Sequence, residues 1–263
     1  MRHPKLLGLT VILMGVVIAT WLLAPPVEVQ AGEPKRGGVL RVAMIGEPPS
    51  LDLHWTTAVI TREIGVNIYE TLFALDAKYQ PIPHLAEGHE VLDGGKRYVI
   101  RLRKGVKFHN GKEMTSADVV ASLQRWAKVA SPGKALLRAV EAIEAKGPST
   151  VEIRLKEPSG VLPIGLAQPD SGAAIYPKEV IDATGEGQLK EFIGTGPFKF
   201  VEHKPDRHIK LIRFDGYASR PEPPNGLGGQ RAAYVDELYF LPVPDYAIRQ
   251  AGIQTGEYQY AQQ

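Results

Sequence analysis

Seven histidines are the side chains of this sequence best suited to hold a metal ion or move a proton. The closest pairs along the chain, His84 with His89 and His203 with His208, are both five positions apart. Two ligands on one face of a helix are three or four positions apart, so neither pair has helical metal-ligand spacing. Cysteine is absent, which excludes thiolate ligands. We therefore expect these histidines at surfaces and in turns, with no metal and no cofactor.

The sequence also lacks the common motifs of nucleophilic catalysis and phosphate binding. No Gly-x-Ser-x-Gly occurs. Gly194-Thr195-Gly196 resembles part of a phosphate-binding loop, but the Gly-Lys-Ser/Thr that completes such a loop does not follow. Asp236 and Glu237 are neighbours in a predicted strand, so they point to opposite faces and cannot share a proton. These patterns predict a tight turn at 194–196 and a protein that is not an enzyme.

The remaining polar and aromatic candidates follow the first predicted strand. That strand is the apolar run Val39–Ile45, and the prolines at 48 and 49 make the next residues a loop. In open α/β sheets ligands collect at the carboxyl ends of strands, which makes this loop the best candidate for a ligand site. The alternative is a purely structural loop that caps the next helix. The candidates are Glu47, Ser50, Asp52, His54, Trp55, Thr56 and Thr57.

The clearest local pattern in the chain lies between residues 97 and 126. Residues 97–103 alternate between apolar and mainly charged side chains, which predicts a half-buried strand. Asp93-Gly94-Gly95 before it predicts a hairpin that joins this strand to residues 89–92. His109-Asn110-Gly111 favours a turn. Thr115 and Asp118 have the spacing of a capping box, and an apolar stripe follows them, so a helix is expected to begin there.

Strands and helices are predicted on both sides of this unit, giving an α/β protein. The expected strands are 39–45, 89–92, 150–155, 198–203, 208–214 and 235–241, and the expected helices are 57–71, 178–184 and 245–255. Residues 131–133, Ser-Pro-Gly, are expected to break the chain. Residues 257–263 begin another strand with no closing helix or turn, which predicts a piece of a longer protein.

The first 31 residues have the pattern of a secretory signal peptide. Arg2 and Lys5 precede an apolar run from Leu6 to Leu23, and Val29-Gln30-Ala31 resembles a leader-peptidase site. The apolar run is also about long enough to span a bilayer, so an uncleaved membrane anchor is the alternative. An exported chain without cysteine is expected in the periplasm.

The charge distribution argues against nucleic acid as a partner. The formal net charge is +2, from 31 basic and 29 acidic residues. The two signs are interspersed, whereas nucleic-acid-binding surfaces usually collect basic residues in a patch.

Four stretches, in this order, resemble the family 5 solute-binding proteins of ABC transporters, the dipeptide, oligopeptide and nickel type. They are GGVLRVAMIGEPPSLDLHWTTAVITREIGVNIYETLFALD, YVIRLRKGVKFHNGKEMTSADVVASLQRW, GTGPFKFVEHKPDRHIKLIRFDGYA and VDELYFLPVPDYAIRQAGIQTGEYQYA. The resemblance covers residues 37–263. Two departures are Ala218, where an aromatic residue commonly stands, and an insertion-like loop at 219–230.

This resemblance implies a periplasmic-binding-protein-like fold of class II, an α/β clamp of two lobes. This sequence would carry the first lobe, with a mixed sheet, and the second lobe would be absent from it. By similarity, the signal peptide is 1–31, the main lobe has its two halves at 32–69 and 171–263, and 70–170 is an inserted α+β subdomain. The second half would run up to the hinge crossing between the lobes.

The resemblance also implies which residues contact the ligand. By position, the ligand loop of peptide binders falls on Trp55, Thr56, Thr57 and Ala58, and the tail that enters the cleft contains Tyr260, Ala261, Gln262 and Gln263.

The function implied is that of the periplasmic solute-binding component of an ABC importer. Such a protein binds a peptide or similar polar solute and delivers it to the transmembrane permease subunits, here as an expected monomer. A signal-anchored, ligand-sensing receptor module is the first alternative, and retention of residues 1–31 would favour it. A secreted hydrolase is the second, although no nucleophile and base were found. The solute class stays open among peptides, opines, sugars and nickel chelates.

Overall fold

The computed structural model describes residues 34–263. The predicted signal peptide, its cleavage site and the alternative anchor lie outside the described residues. Within 34–263, no helix has both the length and the apolar character needed to cross a bilayer.

The described chain alternates short strands and helices. The strands are β1 (Val39–Met44), β2 (Phe73–Leu75), β3 (Pro81–Pro83), β4 (Ala86–Leu92), β5 (Arg97–Leu102), β6 (Val140–Ala145), β7 (Thr150–Leu155), β8 (Phe198–Lys204), β9 (His208–Arg213), β10 (Glu237–Pro242) and β11 (Tyr260–Ala261). The helices are α1 (Val59–Ile68), α2 (Ser116–Val129), α3 (Ser131–Leu136), α4 (Leu162–Leu166), α5 (Lys178–Thr184) and α6 (Tyr246–Thr255).

The main sheet is mixed and has the strand order β11-β1-β10-β9-β8. β1 pairs in parallel with both β10 and β11, whereas β9 is antiparallel to β10 and β8. Because β1, β10 and β11 run in the same direction, their carboxyl ends meet at one edge of the sheet.

The second sheet is antiparallel, in the order β4-β5-β7-β6. A separate two-stranded pair, β2-β3, precedes it in the chain. The predicted hairpin is confirmed, because β4 and β5 are joined through Asp93–Gly95. The capping box is also confirmed: the Thr115 N–H donates to Asp118 Oδ2 at 2.8 Å where α2 begins.

Two clusters of buried apolar side chains form the core. The main core cluster contains Met44, Ile64, Ile68, Tyr176, Leu211 and Phe240, from the main sheet, α1 and the segment before α5. The second core cluster contains Leu85, Ile100, Leu123, Trp126, Val151 and Leu166, from the second sheet, α2 and α4. Helix α2 therefore buries its apolar stripe against the second sheet.

The expected break after α2 is confirmed, because α2 ends at Val129 and Ala130 is extended. Residues 131–133 themselves form the first turn of a new helix, α3. Proline is tolerated in the first turn of a helix, where no intrahelical N–H bond is lost. Gly133 allows close packing, since a Cβ there would lie 2.2 Å from the Trp126 carbonyl oxygen. Ser131-Pro132-Gly133 therefore ends α2 and begins a second helix that packs closely against it.

Candidate ligand-binding site

The carboxyl ends of the parallel strands bring the loop after β1 next to the chain's last residues. The N–H of Val243, just after β10, donates to the Met44 carbonyl at 2.9 Å. On the other side, the Gln262 N–H donates to the Ala43 carbonyl at 2.8 Å. The loop from Ile45 to Ala58 therefore leaves the sheet between the ends of β10 and β11.

Two polar side chains fasten the tail to this edge. The carboxamide oxygen of Gln262 accepts from the Ile45 N–H at 3.0 Å, and the residue is only 7% exposed. Arg249, on α6, is buried and donates from Nε to the Gln262 carbonyl at 2.9 Å and from Nη1 to the Val243 carbonyl at 2.7 Å. No sequence pattern marks Arg249, because it becomes buried only when the segments at Val243 and Gln262 come together in the fold.

A buried ion pair holds the base of the loop. The Asp52 carboxylate accepts from Arg125 on both oxygens, at 3.2 and 2.6 Å, and both side chains are almost fully buried. Three further groups donate hydrogen bonds to the Asp52 carboxylate: the His54 N–H at 3.0 Å, the Leu189 N–H at 3.2 Å and the Tyr176 hydroxyl at 3.2 Å. Since Arg125 belongs to α2, the helix of the second sheet is bonded directly to the loop.

From this base the loop presents its next residues to solvent. The Trp55 N–H donates to the Asp52 carbonyl at 3.0 Å, so the backbone turns back on itself there. The Trp55 side chain is 45% exposed. Thr56 Oγ1 accepts from the Ala58 N–H at 3.1 Å, which sets the chain for the start of α1. Thr57 is exposed between them.

Two other loop candidates have structural partners. Glu47 contacts the His203 ring and accepts from the Asp206 N–H at 2.9 Å, which links the loop to the turn between β8 and β9. Ser50 Oγ accepts from the Asp52 N–H at 3.1 Å. These contacts support the structural alternative for the first half of the loop.

The prediction that the histidines lie at surfaces or in turns is wrong for two of them. His54 is fully buried against the Tyr176 ring, with the ring centroids 4.6 Å apart. Burial lowers the pKa of His54 to about 3, so its imidazole is neutral and Nε2 donates to the Ala174 carbonyl at 3.0 Å. His84 is also buried, with Nε2 3.1 Å from Glu70 Oε1. Neither residue gives a periodic signal in the sequence.

The tail divides into exposed and buried positions. Tyr260 is 55% exposed and Gln263 is exposed, whereas Ala261 is half-buried and Gln262 is buried. Gln262 joins the tail to the start of the loop at Ile45. Across the described residues, however, no hydrogen bond links 55–58 with 260–263.

A carboxyl that no sequence pattern marks, that of Glu63, lies next to the tail. Burial raises the pKa of Glu63 above its ordinary value of 4.5, while Arg62 and the Gln262 carboxamide favour its ionised form. Glu63 is on the first turns of α1, directly after the exposed loop. The edge therefore offers aromatic, hydroxyl and carboxyl groups on a fixed support. In residues 34–263, no three His, Cys, Asp or Glu side chains are grouped as metal ligands.

The exposed Trp55, Thr57 and Tyr260 side chains at the carboxyl ends of three parallel strands form a surface that suits the binding of a ligand. Residues 80–263 match the family model of the bacterial extracellular solute-binding proteins, family 5. The chain belongs to this family, which confirms the resemblance. Its members are binding proteins rather than enzymes.

Individual relatives share both sequence and fold with the chain. It is 37% identical over 214 residues to y4tO of Sinorhizobium fredii (strain NBRC 101917 / NGR234), a probable peptide ABC transporter periplasmic-binding protein, covering 77% of this chain and 38% of y4tO. The oligopeptide-binding protein AppA of Bacillus subtilis (strain 168) is 32% identical over 237 residues, which are 86% of this chain and 41% of AppA.

Solved structures confirm the predicted fold class. AppA of Bacillus subtilis in complex with a nonapeptide superposes with a TM-score of 0.72 at 31% identity, covering 86% of this chain and 44% of that one. AgaA in complex with agropinic acid, from A. tumefaciens R10, superposes with a TM-score of 0.71 at 29% identity, covering 84% and 43%. The chain thus spans less than half the length of the proteins that it matches.

Proposed function

We propose that this chain is the first lobe of the periplasmic solute-binding component of an ABC importer. The complete protein would bind a peptide or similar polar solute and deliver it to the transmembrane permease subunits. The observation that carries this proposal is the edge where β1, β10 and β11 end, with Trp55, Thr57 and Tyr260 exposed on an internally bonded support. Membership of family 5 and the names of the relatives support the same role.

The edge suits an extended ligand. β11 is an edge strand of the main sheet, so a ligand could pair with the backbone groups on its outer side as a further strand. Trp55 and Tyr260 can pack on ligand side chains, since large aromatic residues give much contact area for little lost entropy. In this proposal Trp55, Thr56, Thr57, Ala58, Tyr260 and Gln263 face the ligand, and Gln262 holds the tail in place.

The same proposal covers domain organisation and location. Residues 32–69 and 171–263 would form the main lobe, and 70–170 an inserted subdomain, which the two core clusters support. Residues 1–31 would direct export of the protein to the periplasm. There it would act as a monomer, and it would not bind nucleic acid. A ligand-sensing receptor is the second candidate, favoured by the apolar run from Leu6 to Leu23.

The test uses the complete protein encoded by this gene and titration calorimetry with di- to pentapeptides, opines, sugars and nickel chelates. We expect saturable binding of one class. Trp55→Ala should weaken that binding by at least about fivefold, as for a central aromatic contact. Tyr234→Ala is the matched control, because Tyr234 is 40% exposed and its carbonyl accepts from the Gly37 N–H at 2.7 Å, at the opposite end of β1 and β10. Absence of binding by all four classes would refute the transport role, and retention of residues 1–31 in the mature protein would favour the receptor.

A further inference from the structure

One face of helix α1 continues the solute-binding edge beyond the exposed loop. The helix begins at Val59, directly after that loop, and Val59, Arg62, Glu63 and Val66 lie on one side of it, open or half-open to solvent. The opposite side of α1 is buried in the main core cluster. From Ala58 to Val66 the helix rises about 12 Å, which is about the length of three or four residues of an extended ligand.

A groove of about 470 Å³ lies along this face of α1. Its other walls are the turn between β2 and β3, the residue Pro169 and the loop at 226–227. The volume is in the usual range of small-molecule sites, about 300–1,000 Å³. Tyr79 and Leu227 are 75% and 43% exposed, so the groove offers apolar surface to a ligand. Its apolar lining residues are Val66, Leu75, Ala77, Tyr79, Pro169 and Leu227.

The walls opposite α1 are fixed by hydrogen bonds. The Leu227 N–H donates to the Leu75 carbonyl at 2.8 Å, which ties the loop to β2. In the next turn, Asp76 Oδ1 accepts from the N–H groups of Lys78 and Gln80, both at 2.8 Å. A ligand would therefore not have to order these walls, and ordering loops is a substantial part of the cost of binding.

The charges in the groove favour a cation. Arg62 Nη1 donates to Asp170 Oδ1 at 2.7 Å, so the positive charge among the lining residues is already paired. Glu63 and Asp76 also line the groove, and within residues 34–263 neither carboxylate forms an ion pair. Burial raises the pKa of Glu63, and a cation beside it would favour the ionised carboxylate. An anionic ligand would be repelled by both carboxylates.

Glu63 connects the groove with the edge, because its carboxylate interacts with the Gln262 carboxamide that holds the tail. Glu63 and Val66 are three positions apart on α1, so their Cβ atoms are about 5–6 Å apart. A ligand that uses both residues carries its positive charge close to an apolar group. We propose that this groove is a subsite of the solute-binding edge, in which Glu63 pairs with a protonated amine of the solute while Val66 and Leu227 contact the apolar group that carries the amine. This inference rests on the proposed function and narrows its solute to a cation, since an uncharged sugar has no group to pair with Glu63.

The probe for the groove is 2-phenylethylamine, which joins a protonated amine to an aromatic ring. Its uncharged analogue of nearly the same shape is 2-phenylethanol. The complete protein is titrated with each, while the methyl resonances of Val66 and Leu227 are followed by NMR. We expect saturable shifts with the amine and about fivefold weaker binding of the alcohol, which is the upper contribution of a partly exposed ion pair.

Two variants separate the charge from the apolar wall. Glu63→Gln keeps the size of the side chain, so it should bind the amine about fivefold more weakly and the alcohol as before. Leu227→Ala shortens the apolar wall and should weaken the binding of both probes to the same extent. Glu141→Gln is the matched control, because Glu141 is exposed on β6, the outer strand of the second sheet, and it should change neither affinity.

Four results would overturn the proposal. They are the absence of saturable shifts with the amine, equal affinities of the parent for the amine and the alcohol, unchanged amine affinity in Glu63→Gln, and an uncharged sugar as the solute found by calorimetry. Binding of a sugar would leave the transport role intact. Absence of binding by all four solute classes would refute the transport role, whereas the amine titration would still decide on the groove, so the two can fail separately.

Discussion

Replacing Arg125 with methionine should both destabilise the protein and weaken solute binding. Arg125 is the cation of the buried pair with Asp52, and Met keeps most of its apolar length. Breaking a buried ion pair typically costs about 3–5 kcal/mol. Three other donors remain on the Asp52 carboxylate in the variant, from His54, Leu189 and Tyr176. We therefore expect the lower end of that range, about 3 kcal/mol.

The measurement is urea unfolding at neutral pH, followed by circular dichroism, with the m-value checked for a two-state transition. Arg62→Met is the matched control, because Arg62 pairs with Asp170 at 2.7 Å where both side chains are partly exposed, at 31% and 50%. Exposed pairs of this kind contribute about 0–1 kcal/mol. Equal losses of unfolding free energy in Arg125→Met and Arg62→Met would show that the burial of the Arg125–Asp52 pair does not increase its contribution.

The same variant tests whether Arg125 positions the loop that presents Trp55, in addition to stabilising the folded protein. At urea concentrations below its unfolding transition, Arg125→Met is folded and still contains Trp55. The Asp52 carboxylate at the base of the loop, however, has lost its hydrogen bonds from Arg125. Solute affinity should therefore fall in the folded variant, and the emission of Trp55 should move toward that of a more solvated indole. Unchanged affinity in the folded state would show that the loop does not depend on the ion pair.

Three further predictions concern pH, packing and completeness. Burial lowers the pKa of His54 to about 3 and that of His109 to about 4, so both rings stay neutral in the folded state. Their contribution to the free energy of unfolding is therefore fully present above pH 6.5 and falls as the pH drops below it; in urea unfolding from pH 7 to 4, His109→Gln should make this fall less steep by about 1.4 kcal/mol per pH unit. An unchanged dependence of the unfolding free energy on pH would contradict this. Gly194→Ala would place a Cβ 2.1 Å from the Ile68 carbonyl oxygen and should destabilise by about 1–3 kcal/mol or more, whereas Gly160→Ala, with open space around it, should be nearly neutral in the same assay. The 263-residue chain alone should bind solute far more weakly than the complete protein in calorimetry, because one lobe cannot exclude water from its ligand, and equal affinities would refute this.

The parts of the fold that follow from local chemistry were predicted from the sequence. The hairpin through Asp93–Gly95, the capping box of α2 and the end of α6 at Gly256 each depend on a few neighbouring residues, and all three are present. The order of strands in the main sheet was not predicted, because it depends on pairing between distant segments.

The residues that support the site could not be recognised for the same reason. Arg125 and Asp52 are 73 positions apart, and an arginine on an amphipathic helix is ordinarily a solvated one. His109 was expected in a solvated turn, yet its Nδ1 accepts from the Gly194 N–H at 3.2 Å and its Nε2 lies 2.9 Å from the Gly196 carbonyl oxygen. These contacts exist only once the two sheets have been assembled.

The place of β1 in the main sheet has a consequence for the newly synthesised chain. Val39 is paired with Glu237, and the Gly38 N–H beside it donates to Asp236 across 198 positions of sequence. Closing so long a loop costs more entropy than pairing neighbouring segments, so the antiparallel second sheet, whose partners are close in sequence, is expected to assemble first. Until β10 is in place, the apolar strand Val39–Met44 has no partner and is open to misassembly. A holding chaperone that recognises short apolar segments would therefore act on the first strand of this chain rather than on its larger second sheet.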